Sequence, residues 1–129
     1  MTSTFKREAE NGLIIVSVEI DSKYELKMVL DTGATNTTID SNALYLLGYD
    51  LKDSIGIVEI ETANGIIETE VFEIANFDSL GISKNQFQIQ VYDFLAHGIF
   101  SDYNGLLGLD FLEGTKFCID TNLNEITIK

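Results

Sequence analysis

The run Val29-Leu30-Asp31-Thr32-Gly33-Ala34 places an ionisable carboxylate directly after apolar residues and follows it with small ones, none able to neutralise it. Two chemistries fit this pattern. Asp31 can be the polar first residue of a turn. It can also be a carboxylate with open space in front of it, able to take a proton from water as a general base. Other constellations offer little. Cys118, the only cysteine, sits in "KFCIDT" and reads as a small hydrophobe in a strand core. His97, the only histidine, lies in "AHGIFSDYNG" with no local motif tying it to a thiol, so a Cys–His nucleophile has no support. One His and one Cys are too few for a zinc centre, and no metal or other cofactor is expected. "DTNLNE" (120–125) imitates the opening of a calcium loop, but Glu125 stands where glycine is needed, so it reads as a hairpin turn. Phosphate-binding glycine loops, H-E-x-x-H and G-x-S-x-G are all missing from the sequence.

The elements that would hold Asp31 are mostly short strands. Residues 13–20, "LIIVSVEI", and 24–30, "YELKMVL", pair as a hairpin across "DSK", with Tyr24, Leu26, Met28 and Leu30 on one face. "TTID" continues as a brief strand. "SNALYLLGYD" reads as a short helix capped by Asp40 or Ser41 and stopped by Gly48, with Leu44 and Leu47 on one side. Residues 57–63 and 66–74 form a second hairpin, with Asn64-Gly65 supplying the positive φ angles of a type I′ turn. Glu68, Glu70 and Glu73 along it imply one face in water. "NFDSLGISKNQ" reads as a loop, 87–96 as an alternating strand and "HGIFSDYNG" as a loop. Residues 105–114 begin Gly-rich and apolar and turn into a short helix. "KFCID" and "EITIK" close the chain as a hairpin across "TNLN". Seven or eight strands with two short helices predict an all-β, closed, barrel-like architecture rather than alternating βαβ units.

Composition bounds the rest. At 129 residues, 45% hydrophobic and 22% charged, the chain has the balance of one globular domain. Its net charge of −13, with the eight Lys and Arg scattered, excludes nucleic acid as a partner. No apolar run approaches the roughly 18–20 residues of a membrane span. "MTSTFKREAENG" has no apolar core of a secretory signal, which favours a soluble cytoplasmic protein.

Three motifs in order, "VLDTGAT" (29–35), "ETANGII" (61–67) and "GLLGLDFL" (105–112), resemble the retropepsin-like aspartic proteases. In that family an apolar strand leads into Asp-Thr-Gly, a flap hairpin follows, and two apolar residues precede a glycine that opens a late helix. The resemblance covers about residues 13–128, most of the chain. It implies an acid-protease fold over residues 13–129, with a flap and one or two short helices, after an N-terminal extension at 1–12 with freedom to flex. It makes Asp31 the catalytic residue. Thr32 would hold the two active-site loops together across an axis, and Gly33 would leave room for water and substrate. Ala34, Thr35 and Asn36, with Thr62, Ala63, Asn64 and Gly65 at the flap tip, would bind an extended peptide by its main chain. Leu106, Leu107 and Gly108 would support the loop from beneath.

Peptide hydrolysis by this route needs two carboxylates sharing one proton, one acting as base on water and the other as acid. The chain has one Asp-Thr-Gly, so the second carboxylate must come from an identical partner across a twofold axis. The implied activity is that of a homodimeric aspartic endopeptidase acting on peptide or protein substrates. The alternatives are an inactive module of the same fold used for binding or dimerisation, and an ordinary β-domain with a capped turn. One departure stands out. Retroviral members often carry an Asp shortly after the Asp-Thr-Gly and an Arg after the late glycine. Here Thr35 and Leu109 occupy those positions, so that ion pair is missing.

Overall fold

The structure, a computed structural model, describes residues 1–9, 12–63, 65–99 and 102–129. Its strands are β1 (Thr2–Thr4), β2 (Lys6–Arg7), β3 (Ile14–Ile20), β4 (Tyr24–Leu30), β5 (Thr38–Asp40), β6 (Ser54–Thr62), β7 (Gly65–Ser79), β8 (Ile82–Tyr92), β9 (Gly105–Leu107), β10 (Phe117–Asp120) and β11 (Glu125–Ile128). Two short helices, α1 (Ser41–Leu46) and α2 (Leu109–Leu112), complete an all-β protein. No helix among the described residues is long and apolar enough to cross a membrane.

Eight strands form one sheet in the order β2-β3-β4-β9-β5-β8-β7-β6, and β3 also pairs with β7, so the sheet curls back on itself. The expected β3–β4 hairpin is present, with Val18 opposite Leu26 and Ile20 opposite Tyr24. Alternation along these strands turns Val16, Val18 and Ile20, with Leu26, Met28 and Leu30, into the core. Phe72, Ile74, Phe77, Ile89 and Val91 meet them from β7 and β8. Phe111 of α2 packs on Phe77 and Phe87 with ring centroids 5.4 and 5.9 Å apart, which ties that helix to the sheet. Fully burying each such side chain contributes about 1.5–3 kcal/mol. A smaller sheet, β1-β11-β10, joins the first strand to the closing hairpin.

Helix α1 begins as expected, with the Asp40 carboxylate accepting the Asn42 N–H at 3.4 Å; Leu44 is buried and Leu47 half-buried. Four local expectations are corrected. The segment 76–86, read as a loop, is the middle of a long β7–β8 hairpin that turns on Leu80 and Gly81, both at positive φ (54° and 78°). Its polar residues lie in paired strands, Asp78 opposite Ser83 and Asn76 opposite Asn85. The strand read as 87–96 runs from Ile82 to Tyr92 instead; it ends where Asp93 takes up the Ala96 N–H at 3.1 Å and a short 3-10 turn begins. In the β6–β7 hairpin Thr62 pairs with Gly65, so Gly65 opens the return strand rather than closing the turn. The other residue of the expected turn, Asn64, is outside the described residues. Finally, Cys118 is exposed. Strand β10 turns Phe117 and Ile119 inward and Cys118 and Asp120 outward, a parity that its four residues alone could not reveal.

Candidate active site

The sheet places Asp31 by inserting β9 between two strands that are neighbours in sequence. β9 runs parallel to β4, with Leu30 opposite Leu107, and antiparallel to β5, with Ile39 opposite Gly105. A side chain at Gly105 would overlap the Thr38 carbonyl oxygen, so only glycine lets β5 approach this closely. The Asp31 N–H donates to the Leu107 carbonyl at 3.0 Å, extending the ladder one step beyond β4. Asp31 therefore leaves the sheet on a fixed backbone, half-buried, at the head of the 31–36 loop.

Within that loop the Gly33 N–H donates to Asp31 Oδ1 at 2.9 Å and the Ala34 N–H to the Asp31 carbonyl at 3.1 Å. The carboxylate is thus aimed by its own turn, and Thr32 and Gly33 are exposed beside it. Both chemistries considered for the sequence meet here, since a turn-capping aspartate is also a carboxylate held in one orientation.

Helix α2 clamps the loop from below. The Leu109 N–H donates to Ala34 O at 2.8 Å and the Asp110 N–H to Thr35 O at 3.2 Å. Gly108 makes this approach feasible, because a Cβ there would lie 2.8 Å from both Ala34 O and the Asn36 carbonyl carbon. Two residues that the sequence reading passed over complete the clamp. Thr37 is fully buried; its hydroxyl donates to Asp110 Oδ1 at 2.7 Å and accepts the Gly108 N–H at 3.1 Å. Its own N–H lies 3.0 Å from both Asp110 carboxylate oxygens, and the Phe111 N–H reaches Oδ1 at 2.8 Å. The signal available was an acidic residue in the first turn of a short helix, where the helix dipole favours negative charge. The positions of the absent ion pair, Thr35 and Leu109, thus lie within a clamp made of backbone bonds and the Thr37–Asp110 contact.

Of the residues singled out in the sequence, 31–36 and 106–108 come together in this arrangement. Thr62, Ala63 and Gly65 lie at the end of a two-stranded ribbon, because β7 gains its second neighbour, β8, only from Glu70 onward. Asn64 falls outside the described residues. No group of three or more His, Cys, Asp or Glu among the described residues could hold a metal ion. At the far end of β8, burial raises the Tyr92 phenol above its ordinary range, with Tyr103 and Asp40 adding to the effect.

An all-β sheet curled on itself, with a strand threaded between β4 and β5 and an Asp-Thr-Gly loop at the threading point, defines the architecture of a retropepsin-like protein. A structure of a retropepsin-like aspartic protease from Rickettsia conorii superposes with a TM-score of 0.68 at 20% identity, covering 98% of this chain and 89% of that one, which shows a shared fold. The family model described as gag-polyprotein putative aspartyl protease matches residues 16–114, and the chain belongs to that family. No curated protein sequence matches it.

Proposed function

We propose that the protein is an aspartic endopeptidase that works as a homodimer, with residues 13–129 as the protease domain and Asp31 as one half of a shared-proton pair. The observation that carries this reading is the Asp31 carboxylate, fixed by the Gly33 N–H at the end of β4 in a loop clamped by α2. One such loop per chain supplies one carboxylate, and a second copy supplies the other. In the dimer the ionised carboxylate takes a proton from water, and the water oxygen attacks the scissile carbonyl. The protonated carboxylate polarises that carbonyl and then gives its proton to the leaving nitrogen. Two carboxylates so close titrate as a pair in separate steps. Activity therefore peaks on the acidic side of neutral, with a bell-shaped profile.

The exposed Thr32 hydroxyl is free to bond the partner loop across the axis. The β6–β7 ribbon serves as the flap, and Thr62, Ala63 and Gly65 at its end with 34–36 hold the substrate as an added strand. Leu106, Leu107 and Gly108 support the loop. In the sheet formed by the chain termini β1 and β10 are the edge strands, and the closing hairpin offers β10 for pairing between copies.

Asp31→Asn tests the proposal. Asparagine can still accept the Gly33 N–H but cannot ionise, so cleavage of a peptide library should fall by at least about 10²–10⁴-fold while the thermal melt is retained. A folded Asp31→Asn protein that cleaves as well as the wild type would refute it. A wild type that dimerises yet cleaves nothing at any pH would support the binding-module alternative.

A further inference from the structure

Among the described residues one buried side-chain hydroxyl has no partner. Thr38 is 6% exposed, and its Oγ1 is sealed from solvent without a hydrogen bond. The preceding residue, Thr37, shows the ordinary outcome: its buried hydroxyl both donates and accepts. A hydroxyl can donate one hydrogen bond and accept two. Leaving them all unmade destabilises the fold, so buried polar groups are almost always paired. Valine would fill the same space without that penalty.

The register of the sheet shows where this hydroxyl lies. Thr38 stands directly opposite Leu106 of β9, and Leu106 stands beside Val29 of β4. On its other side Thr38 neighbours Gln90 of β8, which pairs with Val71 of β7. Paired residues share a face of a sheet, so these residues form one row across it. The core lies on the other face, where Met28, Ile39 and Leu107 are fully buried. Asp31 lies two residues beyond Val29, and its N–H extends the β4–β9 ladder to Leu107 O, so alternation sets it on the face of the row. Thr38 is two strand spacings from Asp31, about 10 Å, and one two-residue step along the strands, about 7 Å. The backbones are thus about 12 Å apart, a distance that an extended peptide covers in three or four residues at about 3.4 Å each.

Resting on the protease reading, we propose that Thr38 is a specificity-determining residue: its hydroxyl binds a small, uncharged, hydrogen-bonding side chain of the substrate (Ser, Thr or Asn) near the scissile bond. Val29, Leu106 and Val71 offer that group no hydrogen bond. Gln90, the other polar member of the row, stands next to Thr38 and can hold the group from a second side. Reaching Oγ1 takes a rotamer change in the half-buried Leu106 or Gln90, an ordinary adjustment on binding. An apolar substrate side chain leaves the hydroxyl unmade. An ionised one loses its hydration and finds no opposite charge in the row. Twofold symmetry repeats the site in the partner, so the preference recurs at two substrate positions, one on each side of the bond.

Fluorogenic peptides of apolar sequence, in which one position at a time is Thr, Val or Asp, provide the test. Thr and Val share a shape, so their ratio isolates the hydroxyl. At one position on each side of the bond kcat/KM should favour Thr over Val by about three- to tenfold, with Asp below both. Thr38→Val should bring that ratio to about one, and Thr38→Ser, which keeps the hydroxyl, should preserve it. Because Oγ1 has no partner in the free protein, Thr38→Val should melt at or above the wild-type temperature. Binding of the same peptides to Asp31→Asn protein, with and without Thr38→Val, is read by fluorescence anisotropy and needs no catalysis. If the wild type cleaves none of the peptides, the protease reading fails, while tighter binding of Thr than Val that Thr38→Val removes still upholds the Thr38 site. Equal handling of Thr and Val at every position in both cleavage and binding overturns the inference. So does a preference that survives Thr38→Val, or a melting temperature that this substitution lowers.

Discussion

Thr37→Val is the sharpest probe of how the fold holds its loop. Valine matches threonine in shape, so packing is nearly preserved and only the hydroxyl is lost. That hydroxyl makes two buried contacts: it donates to Asp110 Oδ1 at 2.7 Å and accepts the Gly108 N–H at 3.1 Å. The first is a hydrogen bond to a charged group, worth about 1.5–3 kcal/mol. Asp110 keeps the N–H groups of Thr37 and Phe111, so the lower end of that range applies. The second loss leaves a buried N–H without a partner, a further cost of about 1–3 kcal/mol. Together the loss is about 3–4 kcal/mol, a large share of a typical 5–15 kcal/mol stability. For a chain of this size it corresponds to a Tm lowered by roughly 10–20 °C. Thr37→Ser keeps the hydroxyl and removes one methyl, which should cost about 1 kcal/mol. Urea denaturation of both variants and the wild type measures the difference. If Val and Ser prove equally stable, the hydroxyl is not bracing the loop and the argument fails.

Two further perturbations follow from other parts of the structure. Gly105→Ala drives a Cβ into the Thr38 carbonyl oxygen and should cost about 3 kcal/mol or more, whereas Gly56→Ala, with nothing within 4 Å, should be neutral or mildly stabilising; comparing their melting temperatures checks the clash. Burial, and then the hydrogen bond to Asp21, raise the Tyr49 phenol above its ordinary value of 10.0, so the fold favours the protonated form. That contribution is complete below pH 10; above it the unfolded chain releases the proton first, and stability falls as pH rises toward the folded-state value. Urea midpoints measured from pH 8 to 11 should therefore show a shallower alkaline decline for Tyr49→Phe than for the wild type, and parallel declines would contradict the assignment.

How much of this could be read in the sequence depends on the range of the interactions. The β3–β4 hairpin, the Asp40 cap and the closing hairpin have local signatures, and each appears where expected. The ordered motifs located the Asp31 loop and the strand beneath it because each is a strand ending in small residues. The Thr37–Asp110 brace was not legible, since it spans 73 residues and exists only because β9 threads between β4 and β5. The β7–β8 turn was hidden for another reason. Leucine rarely takes positive φ, so Leu80 did not look like a turn residue, and the polar residues around it looked like a loop. The pairing of Thr2–Thr4 with β11 joins the two ends of the chain, a contact that no local pattern announces.

The central claim is that each chain contributes one of two required carboxylates. Mixing wild-type and Asp31→Asn protein under conditions of subunit exchange tests it directly, because mixed dimers then hold one aspartate and one asparagine. The account predicts that cleavage falls as the square of the wild-type fraction, to about one quarter of the all-wild-type rate in an equal mixture at fixed total protein. Activity that stays at about one half, as for independently active chains, or at about three quarters, as for active mixed dimers, would show that one Asp31 suffices and would contradict the account.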